Sequence, residues 1–247
     1  MHNLFIAGCG IKFLSHMTLE VQALIKKCDS VLFLVNDPAM KKWIIDNSVK
    51  SLSLDSVYFG CQERKDSYKF ICQEIIKSAR THRNTCFVTY GNPMFLSNAS
   101  QQLIEDIGVM PDIQIKILPG ISSLDTLFCD LGVDPGMGGL QAFEATNFIN
   151  NNNIVNPSSH LVLWQIGVAG IETIVRNDDE LADSAQRKEA VIQIKEKLMS
   201  FYTAGHRVIL YTASMYPSVP FEKVCLSLGQ LDKVNISRLS TAYIPPI

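Results

Sequence analysis

Arg64 and Tyr68 stand four residues apart, and Tyr58 precedes the arginine by six, beyond a Gly60-Cys61 break. Side chains four apart on a helix touch. A segment folding back across the break brings the second phenol to the same place. A tyrosine titrates near about 10, and a neighbouring guanidinium lowers that by favouring the phenolate, so either phenol is a candidate base. The guanidinium stays charged and can steady negative charge on a substrate oxygen. The same spacing fits a plainer arrangement, an arginine that lays its methylenes along two half-buried tyrosines. Spacing alone leaves both open.

The element that must position this set is a helix. From Tyr68 onward, Tyr68, Ile71, Cys72, Ile75, Ile76 and Ala79 recur at the spacing of one apolar helix face. One turn earlier on that face lies Arg64, where the macrodipole disfavours a cation. Around it the chain alternates: apolar runs at 3–8, 30–35, 85–91 and 113–118 each precede a helical pattern, at 17–27, 38–47, 94–107 and 121–131. Such alternation predicts a largely parallel α/β sheet, with ligands beyond the carboxyl ends of its strands. Those ends carry Gly8/Gly10, Tyr90-Gly91-Asn92-Pro93 and Pro119-Gly120-Ile121-Ser122-Ser123, turn sequences that bring backbone N–H groups close to a ligand. Past about residue 119 the pattern changes. Strands are predicted at 140–145, 160–167 and 206–213, with one long helix over 187–202, which implies a second subdomain with a mixed sheet. The division is placed as 1–118 and 119–247. Asn150 to Asn153 and the acidic stretch Arg176 to Arg187 are predicted surface loops.

Composition narrows the chemistry. Twenty-two basic against 24 acidic residues, a net charge of −2, provide no field for a polyanion, so nucleic acid is excluded as the expected partner. Seven scattered cysteines form no CxxC and lie beside no histidine at ligand spacing, which fits a reduced cytoplasmic protein without a metal. No stretch approaches about 18 apolar residues, so neither a membrane span nor a signal peptide is expected. Gly8-x-Gly10 lacks the third glycine of a dinucleotide fingerprint, since position 13 is Phe13. His16, His82, His160 and His206 are isolated and read as surface or satisfied residues. Glu144 at a strand end suits helix capping or a site equally, and Gln165, among apolar neighbours, needs a hydrogen-bond partner from a ligand or from the fold.

VYFGCQERKDSY, TYGNPMF, LPGISS, DLGVDPG, FEATNF, HLVLWQIGVAG and STAYIPP, spread over 57–246, together resemble the S-adenosylmethionine-dependent methyltransferases of the tetrapyrrole methylase fold. More narrowly the chain resembles the borosin peptide α-N-methyltransferases, which methylate backbone amides of a ribosomally made precursor. The resemblance implies two α/β subdomains with the cofactor in the cleft between them. It makes Tyr58, Arg64 and Tyr68 the catalytic set. Tyr90, Asn92, Phe95, Ser122, Ser123, Ala145, Gln165, Ala213, Ser240 and Thr241 become the cofactor-binding residues, and no metal is implied. It further implies a homodimer. Two departures stand out: Asn92 and Met94 replace the family's usual His and Gly, and only Ile244 to Ile247 follow Tyr243. The latter makes the expectation a stand-alone form to which the precursor peptide comes in trans, in a complex with it. The rivals are a tetrapyrrole or other small-molecule methylase of the same fold and a peptide-binding relative without turnover.

Overall fold

In a computed structural model of the chain, residues 1–174 and 184–247 are described. They form two compact units, 1–126 with 214–219, and 127–213 with 220–247.

The first unit holds β1 (His2–Gly8), α1 (Leu19–Lys27), β2 (Ser30–Leu34), α2 (Pro38–Asn47), β3 (Ser51–Ser53), α3 (Asp55–Phe59), α4 (Arg64–Thr81), β4 (Asn84–Thr89), α5 (Asn98–Ile107), β5 (Ile113–Leu118) and the start of α6 (Ser123–Leu131). Its five strands are all parallel, in the order β3-β2-β4-β1-β5. Covered on both faces, the central strands read as near-continuous apolar runs. Alternation sorts their side chains: Ala7, Cys9, Phe33 and Val88 face one core with α1 and α2, while Leu4, Ile6, Leu32 and Phe87 face the other with α4 and α5. α2 begins where Asp37 caps the Met40 N–H at 2.6 Å and Pro38 takes a position that needs no donor. α4 buries Ile71, Cys72, Ile75 and Ala79, the face read from the sequence.

The second unit holds β6 (Leu140–Glu144), α7 (Ala145–Asn150), β7 (His160–Trp164), α8 (Ala185–Met199), β8 (Arg207–Thr212), β9 (Glu222–Ser227) and β10 (Thr241–Ile244), with short 3₁₀ turns at Ile166–Val168 and Leu228–Lys233. The sheet order is β6-β7-β10-β8-β9; β6 and β7 run parallel and the other pairs antiparallel. This is the mixed sheet expected after residue 119. Its core gathers Phe148, Leu161, Leu163, Ile194, Leu198 and Leu210. The sequence reading omitted β9, an exposed edge strand without clean alternation, and β10, only four residues long. The acidic stretch divides: Asp178, Asp179, Glu180 and Asp183 lie outside the described residues. Its last part is no loop, because Ser184 caps α8 and Arg187 is buried within that helix, donating to the Ile236 carbonyl. Asn150 ends α7 and Asn151 caps it, so the asparagine run starts inside a helix. No helix of the described residues is long and apolar enough to cross a membrane.

Three loops at the carboxyl ends of β1, β4 and β5 meet backbone to backbone. Gly10 and Gly91 exchange N–H···O bonds of 3.1 and 3.0 Å. A Cβ on Gly8 would lie 2.3 Å from the Gly91 oxygen, and one on Gly120 equally close to the same atom. We therefore expect Gly120→Ala to cost about 2 kcal/mol or more of unfolding free energy. Gly205→Ala, where nothing lies within 4 Å, should change it by less than about 0.5 kcal/mol. Urea unfolding of the two variants measures this, and equal effects would contradict the packing argument.

Candidate functional site

Tyr58, Arg64 and Tyr68 do come together. The chain turns at Gly60, and the buried Ser67 hydroxyl donates to the Tyr58 carbonyl at 2.7 Å, which folds α3 onto the start of α4. The Tyr58 and Tyr68 rings then lie 6.0 Å apart at 40°, and both pack against the core that contains Leu4, Ile6 and Phe87. Arg64 opens α4 with its Nε buried and without a hydrogen-bond partner among the described residues. A buried donor on a permanent cation is costly to leave unpaired.

The electrostatics depart from the sequence reading. Burial pushes the Tyr68 phenol up to about 12, the Tyr58 phenol adds to the rise, and the Arg64 charge opposes it without overcoming it. Desolvation disfavours phenolate more strongly than the guanidinium favours it. Tyr68 therefore carries its proton at neutral pH. It can donate a hydrogen bond at rest, and it is a strong base in the small fraction that ionises.

The expected cofactor residues of the first unit sit on the glycine-bound loops. Tyr90 follows β4 and packs against the α1 and α2 side of the sheet, the face opposite to Tyr58 and Tyr68. Its phenol is pushed up by burial, with Cys9 and the Asp37 carboxylate adding to the rise. Asn92 uses its Oδ1 to accept from the Met94 N–H at 2.9 Å and its carbonyl to accept from the Phe95 N–H at 3.0 Å, which leaves its side-chain NH2 uncommitted among the described residues. Met94 is 45% exposed, and the bulk it adds lies at the surface. Ser122 also starts the next helix. With Asp125 it caps α6, its N–H and hydroxyl donating to the Asp125 carboxylate at 2.7 and 2.6 Å. Ser123 opens that helix.

In the second unit, Glu144 spends both carboxylate oxygens on the N–H groups of Thr146 and Asn147, so its role is to cap α7, where the buried Ala145 is the first residue. Gln165 takes the left-handed conformation at φ 58° just past β7, strain that a non-glycine residue tolerates only when its surroundings demand it. Its side-chain amide makes no hydrogen bond among the described residues. Ala213 ends the run after β8; Ser240, bonded to the Thr212 hydroxyl at 3.3 Å, and Thr241 enter β10 buried. Of the histidines, His160 is buried and satisfied by the Tyr243 hydroxyl at 2.6 Å. Burial pushes the Cys9 thiol up to about 12, which denies it a nucleophilic role. No group able to hold a metal is present among the described residues. The sequence reading passed over Asp37 and Tyr216. Asn36-Asp37-Pro38 at a strand end is a capping signal that pointed to the first, whereas no local pattern marks Tyr216.

Parallel strands with glycine-held loops at their carboxyl ends in one unit, and a mixed sheet in the other, define a class of two-unit α/β methylases. The chain belongs to the tetrapyrrole (corrin/porphyrin) methylases, whose family model matches residues 3–210. Over 99% of its length it is 31% identical to a methyltransferase/ribosomally synthesized type I borosin cyclic peptide precursor of Mycena rosella, and 32% identical to one of Serendipita vermifera subsp. bescii. It spans 60% and 59% of those relatives. Among solved structures, uroporphyrin-III-C-methyltransferase from Thermus thermophilus shares the fold, with a TM-score of 0.67 at 13% identity over 99% of this chain and 92% of that one. A form of the enzyme complexed with S-adenosyl homocysteine has a TM-score of 0.62 at 14% identity, over 98% and 92%.

The shift at Tyr68 can be read directly. Subtracting the ultraviolet phenolate titration of Tyr68→Phe from that of the unaltered chain should isolate one ionisation with a midpoint of about 12. A midpoint below the ordinary value of about 10 would mean that the guanidinium wins after all.

Proposed function

We propose that the chain is an S-adenosylmethionine-dependent methyltransferase that N-methylates backbone amides of a ribosomally made peptide. The observation that carries this reading is the meeting of two phenols and a guanidinium whose buried Nε has no partner among the described residues, at the start of α4. A methylase acting on a carbon or an amine has little use for such a set; an amide does. Its nitrogen lone pair is delocalised into the carbonyl, so the N–H proton must leave before the nitrogen can attack. Support also comes from the borosin precursors that match 99% of this chain.

In this reading Arg64 holds the amide oxygen as that oxygen gains negative charge, electrostatic stabilisation by a permanent cation. Tyr68, in its ionised fraction, takes the amide proton, and Tyr58 fixes its ring. The loops that bear Tyr90, Asn92, Phe95 and Ser122, with Ser123 opening the next helix, follow the carboxyl ends of parallel strands, the place where open α/β sheets take nucleoside ligands. Ala145, Gln165, Ala213, Ser240 and Thr241 are the residues of the second unit assigned to the same cofactor. S-adenosylmethionine, when bound, supplies a methyl group activated by its sulfonium; the protein's part is to orient the nitrogen toward it.

Two kinetic outcomes test the assignment, with methyl transfer to an added peptide as the readout. Tyr68→Phe should lower kcat about 100-fold or more while leaving the cofactor dissociation constant unchanged; near-normal turnover would refute Tyr68 as the base. In the unaltered enzyme the rate should climb about tenfold per pH unit between pH 7 and 9, as the ionised fraction of a group titrating near 12 does. A flat profile would exclude a base of that strength. If a porphyrinoid is methylated and no peptide is, the small-molecule reading suggested by the family and its solved neighbours replaces this one.

A further inference from the structure

Residues 214–219 leave the end of β8 and belong to the first unit. Two bonds pin them there. The Phe13 N–H, on the loop after β1, donates to the Met215 carbonyl at 2.8 Å, and the Tyr216 hydroxyl donates to Oδ2 of Asp37, on the loop after β2. Asp37 is 4% exposed, and its Oδ1 is already committed to the Met40 N–H. The phenol is thus the donor that meets the remaining oxygen of a buried carboxylate. Within the segment, the Ser214 hydroxyl donates to the Tyr216 carbonyl at 2.9 Å and accepts from the Tyr216 N–H at 3.2 Å, which sets the tyrosine's direction.

The sheet order gives the two pins their meaning. β4 lies between β2 and β1. A segment bonded to the loops after β1 and β2 therefore bridges the end of β4, where Tyr90 begins the loop assigned to the cofactor. We propose that Tyr216 is a positioning residue for that loop: its bond to Asp37 latches residues 214–219 across the end of β4 and holds the first unit's part of the cofactor site in its binding geometry. The inference rests on the cofactor reading above for its consequence, and on the two bonds alone for the latch.

Tyr216→Phe removes the hydroxyl and keeps the ring, and the Phe13–Met215 backbone bond still anchors the segment, so the fold survives. Hydrogen exchange of the amides in 214–219 should speed up about tenfold in the variant, while α4 and β1 exchange as before. A hydrogen bond to a charged group supports a change of about that size. The KM for S-adenosylmethionine should rise about tenfold with kcat at saturating cofactor falling no more than about twofold. Asp37→Asn, which keeps an oxygen for the Met40 N–H but offers the phenol an NH2 group, should reproduce both effects from the other side of the bond. Unchanged exchange in 214–219 would overturn the latch, and faster exchange with an unchanged KM, or with kcat and KM failing together, would overturn the positioning role. Should the unaltered chain bind no S-adenosylmethionine, the cofactor reading would fall and the positioning role with it, while the exchange result would still decide the latch.

Discussion

Everything in the first unit depends on how closely three loops approach one carbonyl oxygen. Gly8 and Gly120 both pack against the oxygen of Gly91, and Gly10 pairs with Gly91 on the other side. Only residues without a Cβ permit this. The consequence is that the strand ends of β1, β4 and β5, distant in sequence, form one rigid rim. Tyr90, Asn92 and Ser122 take their places from that rim, not from interactions of their own. Parallel α/β sheets bind ligands at such ends because helix starts and loop N–H groups gather there, and the glycines convert a general tendency into a fixed geometry.

The proposed reactive set follows a different logic. Tyr58, Arg64 and Tyr68 are placed by helix packing: α3 folds back, Ser67 ties it to α4, and the two rings settle against the shared core. Packing that buries the Tyr68 ring also withdraws it from water, and this decides its proton affinity. Near a guanidinium in water a phenol would ionise more readily; in this setting desolvation is the larger effect, and Tyr68 moves the other way. As the proposed base, a phenol that is rarely ionised but strong when it is suits an amide, whose proton is hard to remove. The same group would serve poorly against a more acidic substrate.

Much of this was legible in the sequence, for identifiable reasons. Runs such as SVLFLV carry strong local signals, and α2 begins and ends where its pattern says. The face of α4 likewise followed from spacing, because periodicity reports which side of a helix is buried. What spacing does not report is the balance of opposing energies: the pair Arg64 and Tyr68 looked like a lowered phenol until its burial was known. Nor does it report long-range partners. Tyr216 and Asp37 are 179 residues apart, and nothing near either one announces the other. Ser122 and Glu144 illustrate a third case, in which a polar residue at a turn was legible as important while its hydrogen bonds, to Asp125 and to α7, had to be seen. β10 escaped notice because its four residues pair on both sides only once the mixed sheet exists.

The central claim, that this methylase site is built for an amide nitrogen, is tested most directly by where the methyl group goes. The purified chain would be incubated with S-adenosylmethionine carrying an isotopically labelled methyl group and an added peptide, and the product fragmented in a mass spectrometer. The account predicts label on backbone nitrogens of internal residues. Label confined to a side chain or to the peptide's amino terminus would contradict it, since neither reaction needs Arg64 and two tyrosines to strip a proton from an amide.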